Sequence, residues 1–281
     1  MSIRLGENNY GKQRVRLLRL SRQEGRHDIH ELTVGIRLEG DFETAHTIGD
    51  NTKILPTDTM KNTVYALARK HAMASIEKFC LQLADHFLSG NSQVSKVTVE
   101  AWETLWQRLP FGGKPHPHTF TQAGGEKHTA IVRGTKNEKT VQAGIDGLAV
   151  LKTTQSAFEN FLKDEYTTLK EDRNRILSTL IHATWTYRTE EVEFAATWHA
   201  IRQMLLEAFA EHDSMSLQHT LYAMGEAVLN NFDGVSEIHL SLPNKHYNLV
   251  NLTPLQMDNP GEIFLPTDEP HGLIEATLRK D

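Results

Sequence analysis

In each half of this chain the apolar residues change period twice, from two to about three and a half and back, and this order restricts the fold more than any single motif. Val15, Leu17, Leu18 and Leu20 suggest a first strand. After the turn-prone Glu24-Gly25, the run from Asp28 to Glu39 enters with Ile29 and alternates from Leu32 through Val34, Ile36 and Leu38. Together they read as a long antiparallel hairpin with one buried face. From Thr57-Asp58 to His71, the residues Met60, Val64, Tyr65, Leu67 and Ala68 fit an amphipathic helix with Thr57 or Asp58 in the capping position. A second helix is expected from Ser75 to about Leu88 on Ile76, Phe79, Cys80, Leu83 and Phe87. Strand-like runs return at Val94–Leu105, Thr119-Phe120 and Thr129–Val132.

The second half repeats the order. Thr140–Leu151 and Leu180–Tyr187 are strand-like, and Phe194–Glu211 and Ser214–Asn231 are helical, the latter capped by Asp213 or Ser214. Val235–Leu242 and Tyr247–Leu252 alternate again, and Leu273–Leu278 closes the sheet. Two ββαα-type units in tandem make an α+β protein, with domains over residues 1–137 and 138–281. No residue-level repeat accompanies them, so the duplication is one of element order. Open sheets of this kind leave edges that pairing between subunits would hide.

With 281 residues, 39% hydrophobic and 23% charged, the chain has an ordinary globular composition. Its net charge of −6 argues against a nucleic-acid binder. MSIRLGENNYGK lacks the apolar run of a signal peptide, no stretch suggests a membrane span, and the last residues carry no SKL-type address, so the cytoplasm is expected. The one cysteine, Cys80, lies in an apolar helical pattern and reads as a buried structural thiol rather than a nucleophile.

Residues 148–175, LAVLKTTQSAFENFLKDEYTTLKEDRNR, open as a strand-like run and end as a charged, helix-like segment. Between these ends lie Phe158, Phe161 and Tyr166, with hydroxyls at Thr153, Thr154 and Ser156. An aromatic face and a guanidinium on one connection can hold a flat, anionic heteroaromatic ring, stacked on the phenyl face and gripped in plane by the fork. The plainer reading makes Phe158 core and Arg175 a solvated charge.

The spacing L-x-V-L-K-T-T-x-S-x-F-x-x-F-x(4)-Y-x-x-L-x(5)-R, from Leu148 to Arg175, resembles the signature of the urate oxidase (uricase) family. Other segments carry the same resemblance: Tyr10-Gly11-Lys12, GDFETAHTxGDN, Thr57-Asp58 with Lys61-Asn62-Thr63, Lys114-Pro115-His116-Pro117-His118, Ser241-Leu242-Pro243-Asn244-Lys245-His246, and GLIEAT. It covers nearly the whole chain, from Tyr10 to about Thr277. It departs from the family pattern at Pro56, at Leu180-Ile181, and around residues 107–113 and 188–193. The family implies two tunnelling-fold (T-fold) domains per chain, a homotetramer around a central tunnel, and cofactor-free oxidation of urate by dioxygen and water to 5-hydroxyisourate and hydrogen peroxide.

Residue by residue, the resemblance implies that Phe158 stacks on the purine, that Arg175 and Gln218 fix it in plane, and that Leu217 donates its backbone N–H. Thr57 and Asp58 lie against the substrate, Lys12 and Thr57 remove a proton, Asn244 sits where dioxygen or water approaches, and His246 completes the relay. The chemistry suits these types. A lysine made neutral by burial can take a proton through a threonine hydroxyl, an amide offers both donor and acceptor, and imidazole changes charge near neutral pH. Read without the family, Lys12 is an exposed cation, Thr57 an N-cap, Gln218 a solvated side chain and His246 a surface histidine. The proline after Leu242 is expected to end a strand, with Asn244–His246 forming a tight connection. In the family the KPHPH run is a loop, and with no third ligand spaced nearby it is not read as a metal site. Two rivals stay open: a non-catalytic purine or pterin binder on the same fold, and a zinc-dependent T-fold pterin enzyme, for which no convincing Cys/His set is present. A scaffold has least support, since nothing is repetitive.

Overall fold

The computed structural model describes residues 3–281. The elements follow in the order β1 (Tyr10–Gln23), β2 (Arg26–Gly40), α1 (Glu43–Thr47), α2 (Thr57–Lys70), α3 (Ile76–Gly90), β3 (Val94–Phe111) and β4 (Lys114–Gly134). Then come β5 (Lys139–Lys152), β6 (Leu177–Tyr187), α4 (Phe194–Glu211), α5 (Leu217–Asn231), β7 (Val235–Leu249) and β8 (Phe264–Arg279). The eight strands lie in sequence order in one antiparallel sheet, with β1 and β8 at its edges. The expected α+β architecture is therefore present. Among the described residues no helix is long and apolar enough to cross a membrane. The chain forms two compact units, one running to Asp146 with Trp185–Trp198, the other comprising Gly147–Thr184 with His199–Asp281.

In the first unit the alternation of β2 buries Leu32, Val34, Ile36 and Leu38, which share a core with Val97, Val99 and Ala101 of β3 and Ala130 and Val132 of β4. Met60, Val64 and Ala68 of α2 are buried, as are Ile76, Phe79, Cys80, Leu83 and Phe87 of α3. The Cys80 thiol is fully buried, which pushes its pKa well above the ordinary value, and Glu77 and Glu100 push it the same way. Ser75, where the second helix is expected to begin, is the cap of α3 and accepts the Lys78 N–H at 3.1 Å. At α2 the expectation shifts by one residue: Pro56 occupies the cap without a side-chain bond and Thr57 is the first helical residue. A proline there loses nothing, because the first N–H groups of a helix have no internal acceptor. Helix α1 is too short to leave a periodic signal.

The KPHPH run is strand rather than loop. β3 and β4 extend to a turn at Gly112-Gly113, both in left-handed backbone at φ +57° and +76°. The prolines are accommodated where Pro110 pairs with Pro115, beside a register irregularity. Beneath this hairpin runs a chain of charges. His30 Nδ1 meets Glu103 Oε1 at 2.6 Å, Glu103 Oε2 lies at ion-pair distance, 3.6 Å, from His128 Nδ1, and His128 Nε2 meets Glu77 Oε1 at 2.8 Å. Trp198 stacks on His128 with centroids 4.4 Å apart.

In the second unit Leu177 and Ile181 of β6, Ile201, Leu205 and Phe209 of α4, Leu221, Met224 and Val228 of α5, and Ile238, Leu240 and Leu242 of β7 are buried. Pro243 does not end β7. The strand continues to Leu249, and the register with β8 breaks between Asn244 and His246, so the expected connection is a bulge in a strand. Residues 153–176 form no helix, and the charged run 170–175, helix-like in sequence, is irregular chain.

Candidate active site

One cluster of expected site residues belongs to the first unit. Lys12 is half-buried on β1, opposite Ile36 of β2. Thr57 and Asp58 open α2, the first half-buried and the second exposed. Asp58 accepts hydrogen bonds from Lys61 and from Asn62, the latter at 3.0 Å. The Lys61 bond holds its carboxyl below the ordinary range, and the charge of Lys12 adds to this, which places the β1 lysine within electrostatic reach of the head of α2. A carboxylate in the first turn also complements the helix dipole. Tyr10 joins the two elements: its phenolic oxygen accepts the Leu55 N–H at 2.9 Å.

The other cluster belongs to the second unit and rests on backbone ties. Ser156 forms a parallel bridge with Ser214, and Ala157 N–H donates to the Ser214 carbonyl at 2.7 Å. On the other side of the same short run, Arg175 N–H donates to the Ser156 carbonyl at 2.9 Å, and Phe158 and Asp172 exchange bonds of 2.7 and 3.1 Å. The run 155–158 is thus threaded between 172–175 and 214, which brings the Phe158 ring beside Arg175, its Cζ 5.3 Å from the ring centroid. Phe161 stacks on Phe158 at 5.0 Å and 12°, so one face of that ring is covered by protein. Burial lowers the Arg175 pKa from its ordinary value, with Asp172 opposing. Its Nε is buried without a hydrogen-bond partner. Such a guanidinium donor is open to an acceptor.

Ser214 leads directly into α5. Its hydroxyl donates to the Ser216 carbonyl at 3.0 Å and accepts from Thr220 at 2.7 Å, and all of Ser156, Ser214 and Thr220 are buried. Ser216, not Asp213 or Ser214, caps the helix, accepting the His219 N–H at 3.1 Å. Leu217 and Gln218 follow in the same first turn, where N–H groups lack internal acceptors and suit an anionic or carbonyl ligand. Leu217 is buried and Gln218 exposed. Asn244 and His246 are half-buried on the β7 bulge, opposite Gly272 and Thr267 of β8. Thr179 of β6 donates its hydroxyl to the Pro243 carbonyl at 2.8 Å, linking the strand that follows Arg175 to the residue before Asn244.

The first unit therefore gathers Lys12, Thr57 and Asp58, and the second Phe158, Arg175, Leu217, Gln218, Asn244 and His246. Sequence reasoning named Tyr10, Ser156 and Ser214 but gave none of them these contacts, and it passed over the hydroxyl of Thr179. Of the last three only Thr179 stands in an apolar run, residues 177–181, while Ser156 and Ser214 stand among polar residues and carried no such signal. Among the described residues no group of three or more His, Cys, Asp or Glu is arranged to hold a metal, and His116 and His118 meet edge-to-face with centroids 4.6 Å apart.

The family model described as Uricase matches residues 8–133 and 141–275. A uricase of Arthrobacter globiformis is 46% identical over 277 residues, covering 99% of this chain and 90% of that protein. A uricase of Dictyostelium discoideum is 37% identical over 278 residues, covering 98% and 96%. The crystal structure of uricase from Arthrobacter globiformis matches with a TM-score of 0.95 at 45% identity, covering all of this chain and 96% of the other.

Proposed function

The chain belongs to the uricase family, and we propose that its two clusters supply the two halves of one reaction. It is a urate oxidase: urate, dioxygen and water give 5-hydroxyisourate and hydrogen peroxide. Family membership favours catalysis over a non-catalytic purine or pterin binder. The observation that carries the residue assignment is Arg175, whose buried Nε lacks a partner beside the Phe158 ring.

In this reading urate stacks on Phe158, Arg175 and Gln218 grip its ring acceptors and donors in plane, and Leu217 N–H adds a further bond. Lys12 and Thr57 take a proton from urate, with Asp58 against the ring, and the electron-rich anion passes two electrons to dioxygen held near Asn244. Dioxygen leaves as peroxide, and water adds to the oxidised ring with His246 assisting its deprotonation. No cofactor is assigned a step.

The working unit is a homotetramer of chains with two T-fold domains each, over residues 1–137 and 138–281. The two open edges β1 and β8 support subunit pairing. Because the proton relay and the ligand grip belong to different halves of the chain, the site is completed between subunits. The cytoplasm is its compartment.

Urate absorbance and peroxide are to be followed together in buffer containing EDTA. Matched loss and gain are expected, and persistence of urate would overturn the assignment. Dilution to the monomer is expected to abolish turnover, so a fully active monomer would remove the shared site.

A further inference from the structure

Tyr10 opens β1, two residues before Lys12, and its hydroxyl oxygen accepts the N–H of Leu55, two residues before Thr57. One hydrogen bond thus joins the strand that carries the lysine to the segment that carries the threonine. Several features stiffen the link. The Tyr10 ring packs edge-on against the buried Phe42, centroids 4.8 Å apart at 88°. Pro56 sits between Leu55 and Thr57 with φ fixed at −57°, and the residue before a proline is itself confined to extended backbone. Leu55 therefore cannot swing without carrying Thr57. On the strand side Gly11 lets β1 approach β2: a Cβ there would lie 1.8 Å from the Ile36 carbonyl oxygen. Past Lys12 the register with β2 breaks, and Arg14 is left-handed at φ +59°, a bulge of the kind that re-aims a neighbouring side chain. Burial raises the Tyr10 pKa, the Leu55 bond opposing it, so the phenol stays protonated and acts as a fixed acceptor rather than a proton carrier.

We propose that Tyr10 is a positioning residue for urate oxidation: its bond to Leu55 sets the separation of Lys12 and Thr57, and through it the proton transfer from urate. The proposal rests on the relay described above. A residue that merely satisfied a backbone donor would affect stability, whereas one that sets relay geometry affects turnover while leaving the grip on urate intact. Misplacing reacting groups by about 1 Å costs up to about 100-fold in rate, so loss of one tether is expected to cost about 10-fold.

The test is Tyr10→Phe, which keeps the ring against Phe42 and removes only the acceptor. kcat should fall about 10-fold while urate affinity, measured by calorimetry without oxygen, stays within about twofold. In a Thr57→Ala background Tyr10→Phe should lower kcat no further, since it acts through Thr57. An unchanged kcat in the single variant, or an additive loss in the double, overturns the proposal. Should Tyr10→Phe fail to fold, Pro56→Ala frees the same tether and must show the same loss confined to kcat. Full turnover by Thr57→Ala would defeat the relay itself, whereas a loss there with none in Tyr10→Phe defeats the role of Tyr10 alone.

Discussion

The relay cluster and the grip cluster are built in different ways. Lys12 and Thr57 stand on a strand and a helix that bury their apolar faces in the core of the first unit, with buried Val15 and Met60 close by in sequence. Phe158 and Arg175 stand on irregular chain that buries little: Leu162 is 95% exposed and Tyr166 81%. What orders it is the ladder of backbone bonds to Ser156, Ser214 and Asp172. In the proposed reading, regular elements set the chemistry before substrate arrives, and the ligand finishes ordering the irregular segment, where the buried Arg175 Nε has no partner. Damage on one side should therefore appear in turnover, and on the other in affinity.

The largest expected effect is that of Thr57→Ala, which should lower kcat about 1000-fold, close to 4 kcal/mol in barrier, while weakening anaerobic urate affinity far less. An equal loss in affinity would erase the distinction between the clusters.

Next comes the charge chain of the first unit. His128→Leu leaves Glu77 buried without its partner and should cost about 3 kcal/mol in denaturant unfolding. Its pH dependence follows from the direction of the shifts. Burial pushes the His128 pKa down, but Glu103 and Glu77 outweigh burial and raise it above 6.5. Its stabilisation is then complete below pH 6.5 and lost as pH rises through the folded value. Burial alone would raise Glu103, yet His128 and His30 hold it at about 2, so its contribution persists above its ordinary pKa of 4.5 and is lost as pH falls towards about 2. Unfolding measured across pH should show an alkaline decline that His128→Leu removes.

On the grip side Arg175→Ala should weaken anaerobic urate binding by about 2 kcal/mol, roughly 30-fold, with kcat at saturation far less affected. Arg175→Lys should restore only part, since a point charge lacks the fork. The smallest effect is that of Ser214→Ala, which removes a buried hydroxyl below the grip and should cost about 1 kcal/mol, read as a rise in urate Kd with kcat retained. A kcat defect there would show that the two clusters are not separable.

Much of this was legible in the residues. Alternation in β2 and the apolar stripes of α2, α3, α4 and α5 report which face is buried, and that is what periodicity measures. The full length of β7 was not, because Pro243 reads as a strand end, and neither were those of β3 and β4, whose pairing runs on through Pro110 and Pro115 beside a register irregularity. The site side chains were singled out by the family resemblance, since by type and spacing alone Lys12, Thr57, Gln218 and His246 carry plainer readings. Their supports were not, since Tyr10 meets Leu55 across 45 residues and Ser156 meets Ser214 across the whole of β6 and α4, and local pattern carries no record of such pairings.

The burial of Cys80 has a chemical consequence. Each catalytic cycle releases an oxidant, and peroxide attacks thiolates, not thiols. The one sulfhydryl of the chain is fully buried and held protonated, so the product meets neither access nor a reactive form. Thioethers are the softer targets: Met215, two residues before Leu217, is 50% exposed, and Met257 is 59%. Peptide mass spectrometry after prolonged turnover is expected to find sulfoxide at these methionines before any oxidised form of Cys80. Ageing of the catalyst by its own product would then begin at the thioether two residues before Leu217, and replacing Met215 with leucine would lengthen its working life.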